Sequence, residues 1–217
     1  LAVARALARD GWDLLLIARD AQRLEAAAAT IVDGDRMTGA QTGAGPATAA
    51  RAVPFAVDLA HADSVAAIMA FAERHTDRLD ALIHNAGRVA QGPIDSYDLA
   101  DWEAIMAVNA RAPFLLTGRA VPLLEQADDA RVIVIGSVVS RVGYADQALY
   151  TASKHALLGM ARAAARDLAP RGITVQAVLP GGVDTDMVRA VAPTSIRVSC
   201  GARGRCIGGD VPPQSAR

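Results

Sequence analysis

The sequence predicts an α/β fold in which a doubly wound parallel sheet lies between two layers of helices. Short aliphatic runs alternate with longer Ala-rich stretches, which is the pattern of repeated βαβ units. A length of 217 residues and a hydrophobic content of 52% are sufficient for one core. We therefore expect one domain over residues 1–194 and an irregular tail over residues 195–217, where the pattern is lost.

Five strands are predicted, each short, aliphatic and bounded by turn or cap residues. They cover residues 13–18, 52–57, 79–84, 131–136 and 173–179. Helical patterns cover residues 1–9, 21–31, 64–75, 99–124 and 149–168, and Gly11 and Gly172 stand where two helices should stop. Residues 34–50 are rich in Gly, Ala and Thr and predict a flexible surface loop.

Composition excludes several classes of function. The formal net charge is −1 with scattered Lys and Arg, which argues against a nucleic-acid partner and favours a small molecule. The longest apolar runs are too short to cross a bilayer and no signal segment opens the chain, so we expect a cytoplasmic protein. The four histidines are dispersed and the two cysteines lack the paired spacing of a zinc site, so no metal is expected.

The strongest local signal is Tyr150-Thr151-Ala152-Ser153-Lys154, which opens an Ala/Leu-rich helix. Tyr150 and Lys154 are four residues apart and share one helix face. A neighbouring ammonium favours the phenolate and should lower the tyrosine pKa toward the range useful for acid/base chemistry. Ser137 follows a predicted strand and could hydrogen-bond the same substrate oxygen. The three residues together predict one proton-transfer site.

Each of the three residues also has an ordinary structural interpretation. Tyr150 could be an aromatic at a helix start that packs on the core, Ser137 a turn residue and Lys154 a solvated cation. Any one of them alone would favour that interpretation. Their joint occurrence in a strand, loop and helix context favours the functional one.

These residues resemble the Ser and Tyr-x-x-x-Lys pattern of the classical short-chain dehydrogenase/reductase family, which has a Rossmann-like fold. Asn109, in Val-Asn-Ala, is similar to the family's fourth catalytic residue, which is taken to hold a water that links the lysine to solvent. An ordinary buried Asn is the alternative. His84-Asn85-Ala86-Gly87 resembles the family's Asn-Asn-Ala-Gly after the fourth strand, where small residues let the backbone approach the cofactor.

The resemblance implies further cofactor-binding residues. Asp58-Leu59 resembles the family's adenine contact, although a helix cap is an equal alternative for Asp58. Residues 180–185 resemble the segment that holds the nicotinamide amide and the phosphates. In this segment the resemblance implies that Pro180, Gly181, Val183 and Thr185 bind the cofactor. It implies that the catalytic residues Tyr150 and Lys154 also bind it.

Arg19 favours NADP over NAD as the cofactor. A Rossmann site for NAD usually has an acid at the end of the second strand, whereas a nearby Arg suits the phosphate of NADP. Here that strand ends Ile17-Ala18-Arg19, and Arg19 offers charge and a planar fork of donors. Asp20 is better interpreted as the N-cap of the next helix. A solvated surface role is the alternative for Arg19.

The resemblance implies an oxidoreductase that transfers a hydride between NADP(H) and a carbonyl/alcohol pair, with the cofactor supplying the hydride. An oxoacyl thioester, a sugar, a steroid and a small ketone remain open as substrates. A catalytically inactive fragment or pseudoenzyme that binds a partner is the alternative. By resemblance alone, a dimer or tetramer would form through the helices at residues 99–124 and 149–168.

The sequence departs from the family at its start. The family begins with a strand and a Gly-rich phosphate loop, whereas Leu1-Ala2-Val3-Ala4-Arg5 resembles the helix after that loop. The expected sheet therefore lacks its first strand, which lies between the second and fourth in the family's order. We interpret the sequence as N-terminally truncated, and expect poor folding and weak dinucleotide binding from it as written.

Overall fold

The computed structural model describes residues 1–37 and 50–183. Its strands are β1 (Leu14–Ala18), β2 (Ala52–Ala56), β3 (Ala81–His84), β4 (Arg131–Ile135) and β5 (Thr174–Val178). Its α-helices are α1 (Ala2–Arg9), α2 (Ala21–Met37), α3 (Ser64–Glu73), α4 (Leu99–Met106), α5 (Ala112–Leu124) and α6 (Ala148–Leu168). Strands and helices alternate as predicted, and the α/β class is confirmed.

All strand pairs in the described residues are parallel, but they form two sheets. β1 pairs with β2, and β4 lies between β3 and β5. Within residues 1–37 and 50–183 no hydrogen-bonded ladder joins β1 to β3. The division falls where the resemblance places the family's first strand, between the second and fourth strands of its sheet.

The main core lies between β3–β5 and the helices α3, α5 and α6. Its fully buried members include Leu124, Val132, Val134, Leu157 and Ile173. Two side chains of the smaller sheet, Ile17 and Phe55, pack against this same core. Apolar burial therefore connects the two sheets although backbone hydrogen bonds do not.

The predicted boundary between the second helix and the loop after it is wrong. The loop predicted from residue 34 begins later, because α2 continues through Gly34 to Met37. One glycine inside a helix costs only about 1 kcal/mol, which the neighbouring helix-forming residues outweigh.

The stops at Gly11 and Gly172 are confirmed by their positive φ angles of 84° and 73°. These left-handed conformations end a helix without the penalty of a Cβ.

The helix predicted over residues 99–124 is interrupted by a π-turn at Ala107–Arg111. There the Ala112 N–H donates to the Ala107 carbonyl, five residues back rather than four. Pro113 has no N–H to donate to the Asn109 carbonyl four residues before it, which weakens the α-helical pattern at this position. The interruption turns Asn109 fully into the interior, with 0% exposure.

Some predictions lie outside the described residues. These are Thr185, the tail at residues 195–217 and most of the loop that was predicted over residues 34–50. The domain boundary at residue 194 therefore stays a prediction. Among the helices that the structure describes, none combines the length and the apolar character needed to span a bilayer.

Candidate active site

Ser137 lies directly after β4 and caps a single turn of 3₁₀-helix at Val138–Ser140. Its Oγ accepts a hydrogen bond from the Val139 N–H at 3.3 Å, and its own N–H donates to Ser140 Oγ at 3.1 Å. A Cβ at Gly136 would lie 2.5 Å from Leu179 Cδ2 and 3.0 Å from Ser140 Oγ, so a larger residue here would displace these side chains. The Ser137 hydroxyl is therefore held at the carboxyl end of the strand.

Tyr150 and Lys154 occupy the first turns of α6, as the sequence predicts. Lys154 is only 4% exposed, and its Nζ lies 5.9 Å from the centroid of the Tyr150 ring. The ammonium donates to the Ile135 carbonyl at 3.0 Å. That bond joins α6 to the end of β4, two residues before Ser137, so the strand and the helix bring all three side chains to one place.

Asn109 links three segments of the site. Its Oδ1 accepts from the Arg88 N–H at 2.8 Å, and its Nδ2 donates to the Arg88 carbonyl at 2.8 Å and to Ser153 Oγ at 2.9 Å. Ser153 Oγ in turn donates to the Tyr150 carbonyl at 2.7 Å. Because both amide hydrogens have protein partners, Asn109 acts here by positioning the loop after β3 against α6.

The electrostatics of the pair differ from the expectation based on sequence. Burial raises the pKa of Tyr150, and a side-chain hydrogen bond with Ser137 opposes that rise. Burial lowers the pKa of Lys154 to about 8. The predicted net lowering of the Tyr150 pKa is not seen, because burial raises it and acts against charge on both groups.

Apart from Tyr150 and Lys154, the described residues predicted to bind cofactor follow the carboxyl ends of four strands, β1, β2, β3 and β5. Arg19 is exposed after β1, and Asp20 Oδ1 accepts from the Arg23 N–H at 3.0 Å, which agrees with its predicted role as an N-cap. Asp58 Oδ1 accepts from the Ala60 N–H at 2.9 Å. It thereby closes a turn ahead of α3 rather than capping that helix, which begins at Ser64.

The other predicted binding residues also lie in loops after strands. Asn85 and Ala86 are exposed after β3, and Leu59 packs against the main core. Gly87 passes beside the catalytic pair, since a Cβ there would lie 3.6 Å from Lys154 Nζ. After β5, the Pro180 carbonyl accepts from the Val138 N–H at 2.9 Å, and Gly181 and Val183 follow, exposed.

Sequence reasoning missed Arg111, which connects two of these loops. Its guanidinium donates to the Ala60 carbonyl at 2.7 Å, while Asn109, two residues earlier, holds the backbone of Arg88. The π-turn thus contacts both the turn after β2 and the loop after β3. An exposed arginine in a helix carries no sequence signal for such a contact, because the partner is a backbone carbonyl 51 positions away.

His84, the departure from the family motif, is buried below the loop that it begins. Its Nε2 lies 2.8 Å from the Thr117 hydroxyl on α5. Burial lowers the pKa of His84 to about 4, so the ring is neutral at physiological pH. Its role is to tie the end of β3 to α5. Among the described residues no group of three His, Cys, Asp or Glu could hold a metal ion.

Comparison with known proteins identifies the family. A family model described as short chain dehydrogenase matches residues 1–195. A 3-oxoacyl-[acyl-carrier-protein] reductase from Synechocystis sp. is 33% identical over 141 residues, which are 65% of this chain and 57% of the relative. A 2-(S)-hydroxypropyl-CoM dehydrogenase 3 from Xanthobacter autotrophicus is 32% identical over 183 residues, 84% of this chain and 66% of the relative.

A solved structure agrees with these relatives. The crystal structure of a metagenomic short-chain oxidoreductase in complex with NADP is 34% identical, with a TM-score of 0.73 over 83% of this chain and 76% of that chain. The chain spans about half the length of the first curated relatives that it matches. With the family model covering residues 1–195, this chain belongs to the short-chain dehydrogenase/reductase family.

Proposed function

We propose that the protein catalyses reversible hydride transfer between NADP(H) and a carbonyl/alcohol pair. The observation that carries this proposal is the convergence of Ser137, Tyr150 and Lys154 at the junction of β4 and α6. NADP(H), when bound, supplies or accepts the hydride at the substrate carbon. The residues of the chain bind, orient and protonate the substrate oxygen.

In the direction of reduction, the Tyr150 hydroxyl donates its proton to the carbonyl oxygen while the carbonyl carbon receives the hydride, which yields an alcohol. The raised pKa keeps Tyr150 protonated and ready to donate at neutral pH. Ser137 donates a hydrogen bond to the same oxygen and stabilises the charge that develops on it. Lys154 favours the phenolate that remains after the transfer, through its positive charge.

The residues present fit a nicotinamide dinucleotide phosphate. Arg19 offers an exposed guanidinium at the tip of β1, where the phosphate of NADP requires a cation. Asp58 uses one oxygen for the Ala60 N–H, and its second oxygen can accept a hydrogen bond from the adenine amine. Residues 85–86 and 181–183 are exposed, so a bound nucleotide could approach their backbone. The related metagenomic oxidoreductase binds NADP, which supports this choice.

The test is NADPH oxidation by the purified protein with a panel of ketones, beside Tyr150→Phe and Arg19→Ala. Tyr150→Phe should lower kcat by roughly a hundredfold or more, since it removes the general acid. Arg19→Ala should weaken NADPH at least about fivefold and leave NADH unchanged, because it removes only a phosphate contact. Reductase activity should also decline as the pH rises through about 8, where the ammonium of Lys154 is lost.

Full activity in Tyr150→Phe would contradict the assigned proton donor. Failure of NADPH and NADH to bind both to this chain and to a version preceded by the family's strand and Gly-rich loop would contradict the oxidoreductase function itself.

A further inference from the structure

Ser140 carries a buried hydroxyl that the proton transfer described above does not use. Its side chain is 2% exposed, and it ends the single 3₁₀ turn that follows Ser137. Residues 141–146, which come next in the chain, are all exposed. Serine is usually found at the surface, and a buried hydroxyl is normally hydrogen-bonded because an unpaired polar group in the interior is costly. The partner of Ser140 therefore indicates its role.

Both backbone groups of Ser137 are bonded to Ser140. The Ser137 N–H donates to Ser140 Oγ at 3.1 Å, and the Ser137 carbonyl accepts from the Ser140 N–H at 2.9 Å. Within the described part of the chain, Ser140 Oγ is the only acceptor that the Ser137 N–H has. The Ser140 side chain thus satisfies a donor that would otherwise be left without a partner at the carboxyl end of β4.

The two neighbours of Ser137 are held in a different way. The Gly136 N–H donates to the Val178 carbonyl at 2.8 Å. The Val138 N–H donates to the Pro180 carbonyl at 2.9 Å. Both acceptors belong to β5 or to the loop after it. Of these three consecutive N–H groups, only the middle one depends on a side chain, so a single substitution can release Ser137 while its neighbours stay in place.

The backbone position of Ser137 determines what its hydroxyl can do. Its Oγ accepts from the Val139 N–H at 3.3 Å, which uses a lone pair and leaves the hydroxyl hydrogen free to donate. Burial raises the pKa of Tyr150, and the side-chain hydrogen bond that Ser137 makes with Tyr150 opposes that rise. Hydrogen bonds weaken steeply as their angle departs from linearity, so a tilt of the Ser137 backbone would weaken both contacts.

We propose that Ser140 is a positioning residue for Ser137. By accepting the Ser137 N–H, its hydroxyl holds the Ser137 side chain in the direction needed to donate to the substrate oxygen. The proposal rests on the function proposed above. Ser140 then contributes to turnover only through Ser137, and its loss lowers kcat rather than the affinity for NADPH.

The kinetic experiment is a double-mutant cycle of Ser140→Ala and Ser137→Ala in the NADPH-dependent reduction of a ketone. Ser140→Ala alone should lower kcat about three- to twentyfold, because one hydrogen bond to the reacting oxygen is weakened. The KM for NADPH should stay within about twofold. In the Ser137→Ala background the same change should alter the residual kcat by less than about twofold, because no hydroxyl is left to position.

Ser96→Ala is the matched control. Ser96 also ends a 3₁₀ turn, Ile94–Ser96, but it is exposed and its hydroxyl donates to the Pro93 carbonyl at 2.7 Å. Its removal should leave kcat and KM unchanged.

Amide hydrogen exchange tests the contact without turnover. The Ser137 amide should exchange at least about tenfold faster in Ser140→Ala than in the original protein, because it has lost its acceptor. The amide of Val134, a residue buried within β4, should keep its exchange rate. Equal acceleration at both residues would show a general loosening of the fold and would overturn the local role of Ser140.

The kinetic outcomes separate the hypotheses. Equal losses of kcat from Ser140→Ala with and without the Ser137 hydroxyl would show that Ser140 acts independently of Ser137, and would overturn the proposal. An unchanged kcat in Ser140→Ala would overturn it as well. Absence of NADPH binding and of reduction, both in this chain and in a version preceded by the family's strand and Gly-rich loop, would instead contradict the function on which the proposal rests.

Discussion

At the scale of single residues, His84 places an ionisable ring beneath a loop proposed to bind cofactor. Its ring is 7% exposed and lies against Thr117, in a place where the family pattern has Asn. Burial lowers its pKa from 6.5 to about 4. The folded protein therefore keeps the ring neutral at pH values where the unfolded chain would already protonate it.

We predict that acid destabilises the protein through His84. As the pH falls from 6.5 toward 4, the His84 ring binds a proton in the unfolded state but stays neutral in the folded state. The free energy of unfolding therefore decreases. Between pH 7 and pH 5 the loss attributable to this ring should be roughly 2 kcal/mol. Urea unfolding at the two pH values measures it.

His84→Asn, which restores the amide of the family pattern, should remove most of this pH dependence. His155→Asn removes an exposed imidazole and is the control that should leave the dependence unchanged. An equal pH dependence in His84→Asn and in the original protein would assign the acid sensitivity to other groups.

At the scale of elements, the π-turn at Ala107–Arg111 organises the site. Residues two apart on a helix point to nearly opposite sides, so Asn109 enters the core while Arg111 stays at the surface. Asn109 holds the loop after β3, and Arg111 holds the Ala60 carbonyl in the turn that Asp58 closes. One irregular turn thus positions two of the loops proposed to bind cofactor.

Arg111→Ala is predicted to weaken NADPH binding about three- to tenfold while kcat stays within a factor of two, because the lost bond positions a loop far from the reacting atoms. Arg111→Lys should recover part of the affinity, since a single ammonium can replace one donor. Fluorescence titration with NADPH and steady-state kinetics provide the two readings.

Arg119→Ala is the matched control, because Arg119 is exposed on α5 and makes no side-chain hydrogen bond with another described residue. Proportional losses of kcat and affinity in Arg111→Ala would place Arg111 in the chemistry itself rather than in loop positioning.

At the scale of the whole molecule, an apolar surface lies between the π-turn, α5 and α6. A shallow groove of about 310 Å³ is lined there by Met106, Ala110, Phe114 and Met160, and Phe114 is 62% exposed. Apolar patches on helix faces commonly mark subunit interfaces. These helices are those through which the resemblance implies a dimer or tetramer.

We expect Phe114→Asp to convert an oligomer into a monomer, because association would then have to remove a charged carboxylate from water. Sedimentation velocity on both proteins measures the change in mass. Val3→Asp, on an exposed position of α1, adds the same charge away from this surface and should leave the assembly unchanged. A monomer in the original protein would rule out this surface as a stable interface.

Much of the fold and the proposed catalytic group followed from the sequence, for local reasons. Three strands, β1, β3 and β4, are short runs rich in Leu, Val and Ile, which indicate strands without any knowledge of their neighbours. Tyr150 and Lys154 are four residues apart, and helix geometry alone places them on one face. Ser137 follows its strand directly, so its position at the carboxyl edge required only the parallel sheet.

Contacts between distant segments were decided only by the tertiary structure. The bond from Arg111 to Ala60 and the double hydrogen bond of Asn109 with Arg88 depend on how loops and helices meet. The direction of the Tyr150 pKa shift was also decided there, because it depends on burial and on the hydrogen bond with Ser137. The periodicity of apolar residues predicts which face of a helix or strand is buried. It does not predict which other element packs against that face.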